Sequence, residues 1–256
     1  MRLAGAAHTD PGRVRLENQD SYGFSVRTGL YLVADGMGGH AGGKRASEEA
    51  SRAVTDAVAT GVKRSANGAG CLKAAIEKAN EHVWNLAQSD PALHGMGTTV
   101  AAVLFESAVA HVANVGDSRV YRVRDGAIMA LTRDHSYLAD LTGQGVEITD
   151  AHLRERYDRM LTRAVGVAPT VEVDVVTVGV QSEDNFILCS DGVHRMVTPA
   201  EMLAMVAAGG NDLDALCAAI VRRANDGGGP DNSTVIALRI LPEGPQEAGG
   251  NQGGSA

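Results

Sequence analysis

The sequence predicts a domain of the α+β class, and three observations carry that expectation. Apolar runs of strand length recur, and several end abruptly on a carboxylate beside glycine; residues 30–34, closed by Asp35 and Gly36, are the clearest case. Two alanine-rich stretches show helical stripes instead: Ala46, Ala50, Ala53, Val54, Ala57 and Val58 in one, Leu72, Ile76, Ala79, Val83 and Leu86 in the other. From Thr98 onward the period changes to two and holds through successive short segments.

Taken in order, residues 2–7 read as an opening strand, turned by Asp10-Pro11-Gly12 into a polar loop that runs to Asp20. Strands follow at 22–26 and 30–34. Glycines 36, 38, 39, 42 and 43 then read as a strand-to-helix connection, with the first helix beginning after Lys44. Asp90-Pro91 stops the second helix. Strands are expected at 98–105, 108–115, 120–124 and 127–131, with Asp125-Gly126 as a type I′ hairpin turn. Residues 132–165 are polar and irregular, with a short helix at 136–141 and a mobile segment from Gly143 to about Asp158. Strands at 171–178 and 185–189 follow. Thr198-Pro199-Ala200-Glu201 is a capping box that opens a helix, a further helix covers 213–224, and the last strand is 233–240. The tail at 242–256 is Gly/Pro-rich with almost nothing apolar, and disorder is expected there beyond a domain at 1–241.

Composition narrows the function. A chain of 256 residues, 44% hydrophobic, can bury a substantial core. Its net charge of −8 argues against nonspecific nucleic-acid binding, which depends on neutralising phosphates. Cys71, Cys189 and Cys217 have no paired or metal-ligand spacing and read as small core residues in a reducing compartment. The most membrane-like stretch, 98–115, is interrupted by Glu106, His111 and Asn114, and no secretory leader is visible. The expectation is a cytoplasmic monomer without a membrane or nucleic-acid partner.

Gly38-x-x-x-x-Gly43-Lys44 matches part of a phosphate-cradling P-loop, but Arg45 stands where that motif needs Ser or Thr to hold magnesium. More telling are Asp35, Asp117, Asp191 and Asp231, each at a strand boundary beside Gly or Pro, together with Asp20 at the end of the polar loop. Gathered at one edge of a sheet core, such carboxylates repel unless cations lie among them. Oxygen ligands without His-Cys spacing favour magnesium or manganese over zinc.

The ordered set Arg15…Asn18-Gln19-Asp20, Val33-Ala34-Asp35-Gly36-Met37-Gly38-Gly39-His40, Gly97-Thr98-Thr99, Asn114-Val115-Gly116-Asp117-Ser118-Arg119, Leu161-Thr162-Arg163-Ala164-Val165-Gly166, Cys189-Ser190-Asp191-Gly192 and Gly229-Pro230-Asp231-Asn232-Ser233 resembles the type 2C metal-dependent Ser/Thr protein phosphatases, bacterial branch. The resemblance implies a four-layer α-β-β-α sandwich of two antiparallel sheets flanked by helices. It implies hydrolysis of phosphoserine and phosphothreonine on proteins, opposing a bacterial Ser/Thr kinase. It makes Asp35 the bridge between two Mn2+ or Mg2+ ions and Gly36 a ligand through its carbonyl. Asp191 and Asp231 complete the first ion's shell, and Asp20 supports the second ion through water. Arg15 grips the phosphate, and Asp117 holds a weaker third ion beside a flap at 143–158.

Three residues depart from the family pattern. Gln19 stands where many relatives carry Glu. Met37 takes the place of a His proposed as general acid in eukaryotic relatives, which leaves His40 as the nearest candidate. Arg195 stands where relatives usually have an acidic residue. A non-catalytic sensor built on the same fold is the competing reading. Retention of Asp20, Asp35, Asp117, Asp191 and Asp231 weighs against it.

Overall fold

The structure, a computed structural model, describes residues 2–61 and 67–242, without the side chains of 39–41. The tail from 243 on, where disorder is expected, lies outside the described residues. Strands β1 (Arg2–Asp10), β2 (Asp20–Ser25) and β3 (Leu30–Met37) lead into helices α1 (Gly39–Gly61) and α2 (Gly68–Ser89). Then come β4 (Gly97–Thr98), β5 (Val100–Glu106), β6 (Val109–Val115), β7 (Arg119–Arg124) and β8 (Ala127–Ala130). Helices α3 (Tyr137–Gly143) and α4 (Ala151–Asp158) precede β9 (Asp174–Gly179) and β10 (Asn185–Cys189). Helices α5 (Asp191–His194), α6 (Pro199–Ala208) and α7 (Leu213–Asp226) lead to β11 (Ser233–Leu241).

The strands form two antiparallel sheets, β1-β11-β10-β7-β8 and β2-β3-β5-β6-β9, with β4 paired to β3. Three apolar clusters separate four layers. Tyr31, Val33, Val103 and Phe105 of one sheet meet Phe186, Leu188, Ile236 and Leu238 of the other. Leu30, Leu32 and Ala34 face the opposite way, onto Ala46, Ala50 and Val54 of α1 and Ile76 and Val83 of α2. Ile187, Val235 and Ala237 pack against Leu216, Ile220 and Val221 of α7. The run 30–34 is therefore apolar at every position because β3 is covered on both faces. Each such Leu or Phe contributes about 1.5–3 kcal/mol by leaving water.

Local chemistry explains most of the boundaries. Asp125 and Gly126 take φ of 50° and 73°, the paired positive values of a type I′ turn. Thr198 and Glu201 close the capping box on α6 in both directions.

Two expectations are corrected. Helix α1 begins at Gly39, so Gly42 and Gly43 lie inside it and are no connecting loop. They are there for close approach: a Cβ on Gly36 would sit 2.1 Å from the Gly43 carbonyl oxygen, and one on Gly43 would sit 2.9 Å from the Gly36 carbonyl. This also removes the P-loop, because the backbone that would have to cradle phosphate is helical. The segment expected to be irregular after Gly143 instead contains α4, capped by the Asp150 carboxylate on the Leu153 N–H.

Candidate active site

One end of the sandwich opens into a cleft of about 790 Å³, walled by Arg15, Asp35, Gly36, Asp117, Asp191, Arg195 and Asp231 among others. Both sheets contribute to it. Asp20 and Asp35 are cross-strand neighbours on β2 and β3. Asp191 opens α5 directly after β10, Asp231 precedes β11, and Asp117 lies in the turn between β6 and β7.

Each carboxylate is held by neighbours that the sequence motifs contain without revealing their role. The Asp35 N–H donates to Thr99 Oγ1 (2.9 Å), and the Asp35 carbonyl accepts from the Thr98 hydroxyl and the Thr99 N–H (both 2.8 Å). Thr99 Oγ1 also shares a 2.7 Å hydrogen bond with Ser118 Oγ, beside Asp117. Ser190 Oγ donates to Asp20 Oδ2 (2.7 Å) and accepts the Thr234 N–H, so it ties the two sheets together under the cleft. Asn232 accepts the Gln19 N–H through its side-chain oxygen and donates to the carbonyls of Pro11 and Glu17, which anchors the Arg15 loop.

On the other side of Asp117, the His135 N–H donates to the Gly116 carbonyl, and Nδ1 of the same residue accepts the Gly116 N–H. His194 donates from Nε2 to the Asp117 carbonyl at 3.0 Å, and burial holds its imidazole down to about 3, so it is neutral. The Asp134-His135-Ser136 run at the start of the polar stretch and the His194 next to Asp191-Gly192-Val193 were the signals available for these two.

The electrostatics follow from this crowding. Burial is the largest cause that pushes Asp20 up to about 7; the Ser190 hydrogen bond opposes it, and Asp191 and Asp231 add to it. Asp35 is raised well above the ordinary carboxylate range, first by burial and then by Asp20 and Asp191. Asp117 rises to about 7 through burial and Asp191, partly countered by Arg195. Asp20 Oδ1 and Asp191 Oδ1 are buried without any hydrogen-bond partner. Such a set of acids, with two orphaned oxygens, fits hard divalent cations.

Two arginines engage one oxygen each of Asp231, Asp191 and Asp117. Arg15 Nη2 lies 2.8 Å from Asp231 Oδ2. Arg195 donates to Asp191 Oδ2 at 2.9 Å and to Asp117 Oδ2 at 3.1 Å. Among the described residues no three His, Cys, Asp or Glu side chains are grouped ready to hold an ion. His40 lies in the first turn of α1, and its side chain is outside the described residues.

Residues 4–223 match the family model for protein phosphatase 2C. The chain belongs to that family. Its relatives include the serine/threonine phosphatase stp of Listeria innocua, 36% identical over 235 residues that cover 90% of this chain and 93% of the relative. The catalytic domain of the serine threonine protein phosphatase PstP, in complex with two manganese ions, superposes with a TM-score of 0.80 at 31% identity, covering 94% of this chain and 99% of that one. PppA of Pseudomonas aeruginosa, described as a key regulatory component of its T6SS, has a TM-score of 0.79 at 28% identity over 94% and 99% of the two chains. No described helix of this phosphatase is long and apolar enough to cross a membrane.

Proposed function

We propose that this phosphatase hydrolyses phosphoserine and phosphothreonine esters on proteins at a pair of divalent manganese or magnesium ions. The observation that carries the reading is the cleft floor, where buried acids from both sheets meet with two orphaned oxygens. In this reading Asp35, Asp191, Asp231 and the Gly36 carbonyl would hold the ions, and Asp20 would support them through water. When bound, such a pair supplies an activated water at neutral pH and charge stabilisation for a phosphoryl group.

The chain's own residues do the rest. Arg15 spends one N–H on Asp231 and keeps the others for a phosphate in the cleft, where a guanidinium can bind two oxygens at once. Asp231 thereby orients the arginine as well as serving the ions. Thr98 and Thr99 fix the Asp35 backbone, and so would hold its carboxylate in place for the ions. Asp117 stands apart from the core set, in the turn between β6 and β7, with one oxygen on Arg195. A phosphoprotein substrate requires a kinase that makes it, and the reading includes a cognate bacterial Ser/Thr kinase acting in the same cytoplasm.

The test is phosphate release from a phosphothreonine peptide after exhaustive chelation, then after return of manganese. Turnover should vanish and come back; full turnover in the chelated protein would sink the reading. His40 is proposed as general acid for the leaving alkoxide. His40→Ala should then slow phosphoserine peptide hydrolysis more than p-nitrophenyl phosphate hydrolysis, whose leaving group needs no proton. Equal losses on both would remove it from the chemistry.

A further inference from the structure

The mechanism above makes no use of Arg195, although it is the most heavily paired charge in the cleft. Its guanidinium is 13% exposed and meets three carboxylates at once: Asp191 through Nε at 2.9 Å, Asp117 through Nη2 at 3.1 Å and Asp158 through Nη1 at 2.5 Å. A fourth bond runs from Nη2 to the Asp158 carbonyl at 3.3 Å. The first two acids belong to the sheet edge and the third ends α4, a helix with no buried residue of its own. Burial alone would weaken the charge on Arg195, but Asp191, Asp158 and Asp117 outweigh it.

Resting on the two-ion reading, we infer that Arg195 is a resident cation that fills the position between Asp117 and Asp191 where a third divalent ion would bind, and that it latches α4 to the edge of the cleft. The division of Asp191 supports this. Its Oδ2 is taken by Arg195, while Oδ1 is buried without a partner and stays available to a core ion. A planar guanidinium can serve several carboxylates in fixed directions, as a fixed substitute for an exchangeable ion must. A divalent ion placed between the same two acids would sit against a positive charge that cannot lose its proton. The latch therefore does not depend on metal concentration.

The test combines manganese calorimetry with hydrogen exchange on the intact chain. Wild type should bind two manganese ions, Arg195→Ala should gain a third, weaker site, and Arg195→Ala combined with Asp117→Asn should lose that site again. A third ion in wild type that disappears in Asp117→Asn would overturn the substitution. Hydrogen exchange in metal-free protein reads the latch separately. Arg195→Ala and the milder Asp158→Asn, which leaves Arg195 on its other two partners, should each speed exchange across 151–158 about tenfold, the loss of a charge-assisted contact. Unchanged exchange in both variants would overturn the latch. Absence of manganese binding in every variant would overturn the two-ion reading instead, with the exchange result still deciding the latch.

Discussion

The carboxylate edge and the segment 137–160, which contains the flap expected at 143–158, border the same cleft and are held in opposite ways. At the edge nearly every group is fixed twice. Asp35 is clamped through its N–H and its carbonyl, Asp20 is tied across the sheets by Ser190, and the backbone of Gly116 and Asp117 is held by His135 and His194 respectively. The flap closes on itself: Ser136 bridges to Leu161, the Tyr137 N–H donates to the Met160 carbonyl, and Tyr137 and Tyr157 meet edge to face with centroids 4.9 Å apart. Among the described residues it is joined to the edge by the pairing of Asp158 with Arg195. On the proposed function, the difference separates the oxygens assigned to the ions, which must not move, from the segment assigned to admitting a protein substrate. Local stability of this kind is distributed according to packing.

The strongest way to break the comparison is at the edge. Asp35→Ala should abolish tight manganese binding and reduce phosphopeptide turnover at least about a thousandfold, beyond the loss of one transition-state contact. Calorimetry and phosphate release measure both. An Asp35→Ala protein that kept both ions and its turnover would mean that the edge is a structural cluster and that the chemistry lies elsewhere.

Next in size is a stability effect that belongs to the edge alone. Asp20 and Asp117 are raised to about 7 when folded, above the ordinary carboxylate value. Folding therefore favours their protonated forms, and that contribution is complete below about pH 4 and lost as pH rises through 7. In metal-free protein the melting temperature should fall by about 5 °C or more between pH 5 and pH 8, since each kcal/mol moves a domain of this size by about 2–4 °C. Manganese should remove the fall by compensating the charged forms. A metal-free melting temperature that rose over this range would contradict the burial argument.

A third effect is smaller and confined to substrate. Arg15→Ala should cost about tenfold in kcat/KM on a small phosphoester, the worth of one charge-assisted contact, with manganese binding unchanged. Arg13, whose backbone N–H bonds the Gly229 carbonyl, is the control. If Arg13→Ala carries the loss and Arg15→Ala does not, the loop presents the other arginine.

The same contrast explains what was legible in the sequence. The bounds 185–189 of β10, the Asp125-Gly126 turn and the Thr198-Glu201 cap are all legible, because each carries a local chemical signature. The acids of the edge stand out in the sequence because strand ends beside glycine are unusual places for them. Helix α4 was not read, because it buries nothing and periodicity reports only burial. Its one signal was the Asp150 cap. The helix start at Gly39 was hidden by glycine's poor helix propensity, which here yields to the close approach of Gly43 to Gly36. Arg195 could be seen as a departure, but its partners come from three separate stretches of chain, and only the fold brings them together.

The smallest effect belongs to the flap and sharpens the comparison most. Tyr157 on α4 packs edge to face on Tyr137 of α3, with an interplanar angle of 90°. An aromatic pair of this geometry is worth about 0.5–1.5 kcal/mol, so its removal should loosen the two-helix flap by a few-fold to about tenfold without unfolding it. A small phosphoester needs only the cleft floor, whereas a phosphopeptide must also pass along the flap. Tyr157→Ala should therefore raise KM for a phosphothreonine peptide by roughly two- to fivefold, within the worth of that pair, while leaving p-nitrophenyl phosphate kinetics unchanged. Metal stoichiometry should be the same as in wild type, because Tyr157 is not among the residues assigned to the ions. Tyr157→Phe keeps the ring pair and should behave as wild type on both substrates. If Tyr157→Ala slowed both substrates equally, the flap would be acting through the floor. The edge and the flap would then form one cooperative unit rather than two.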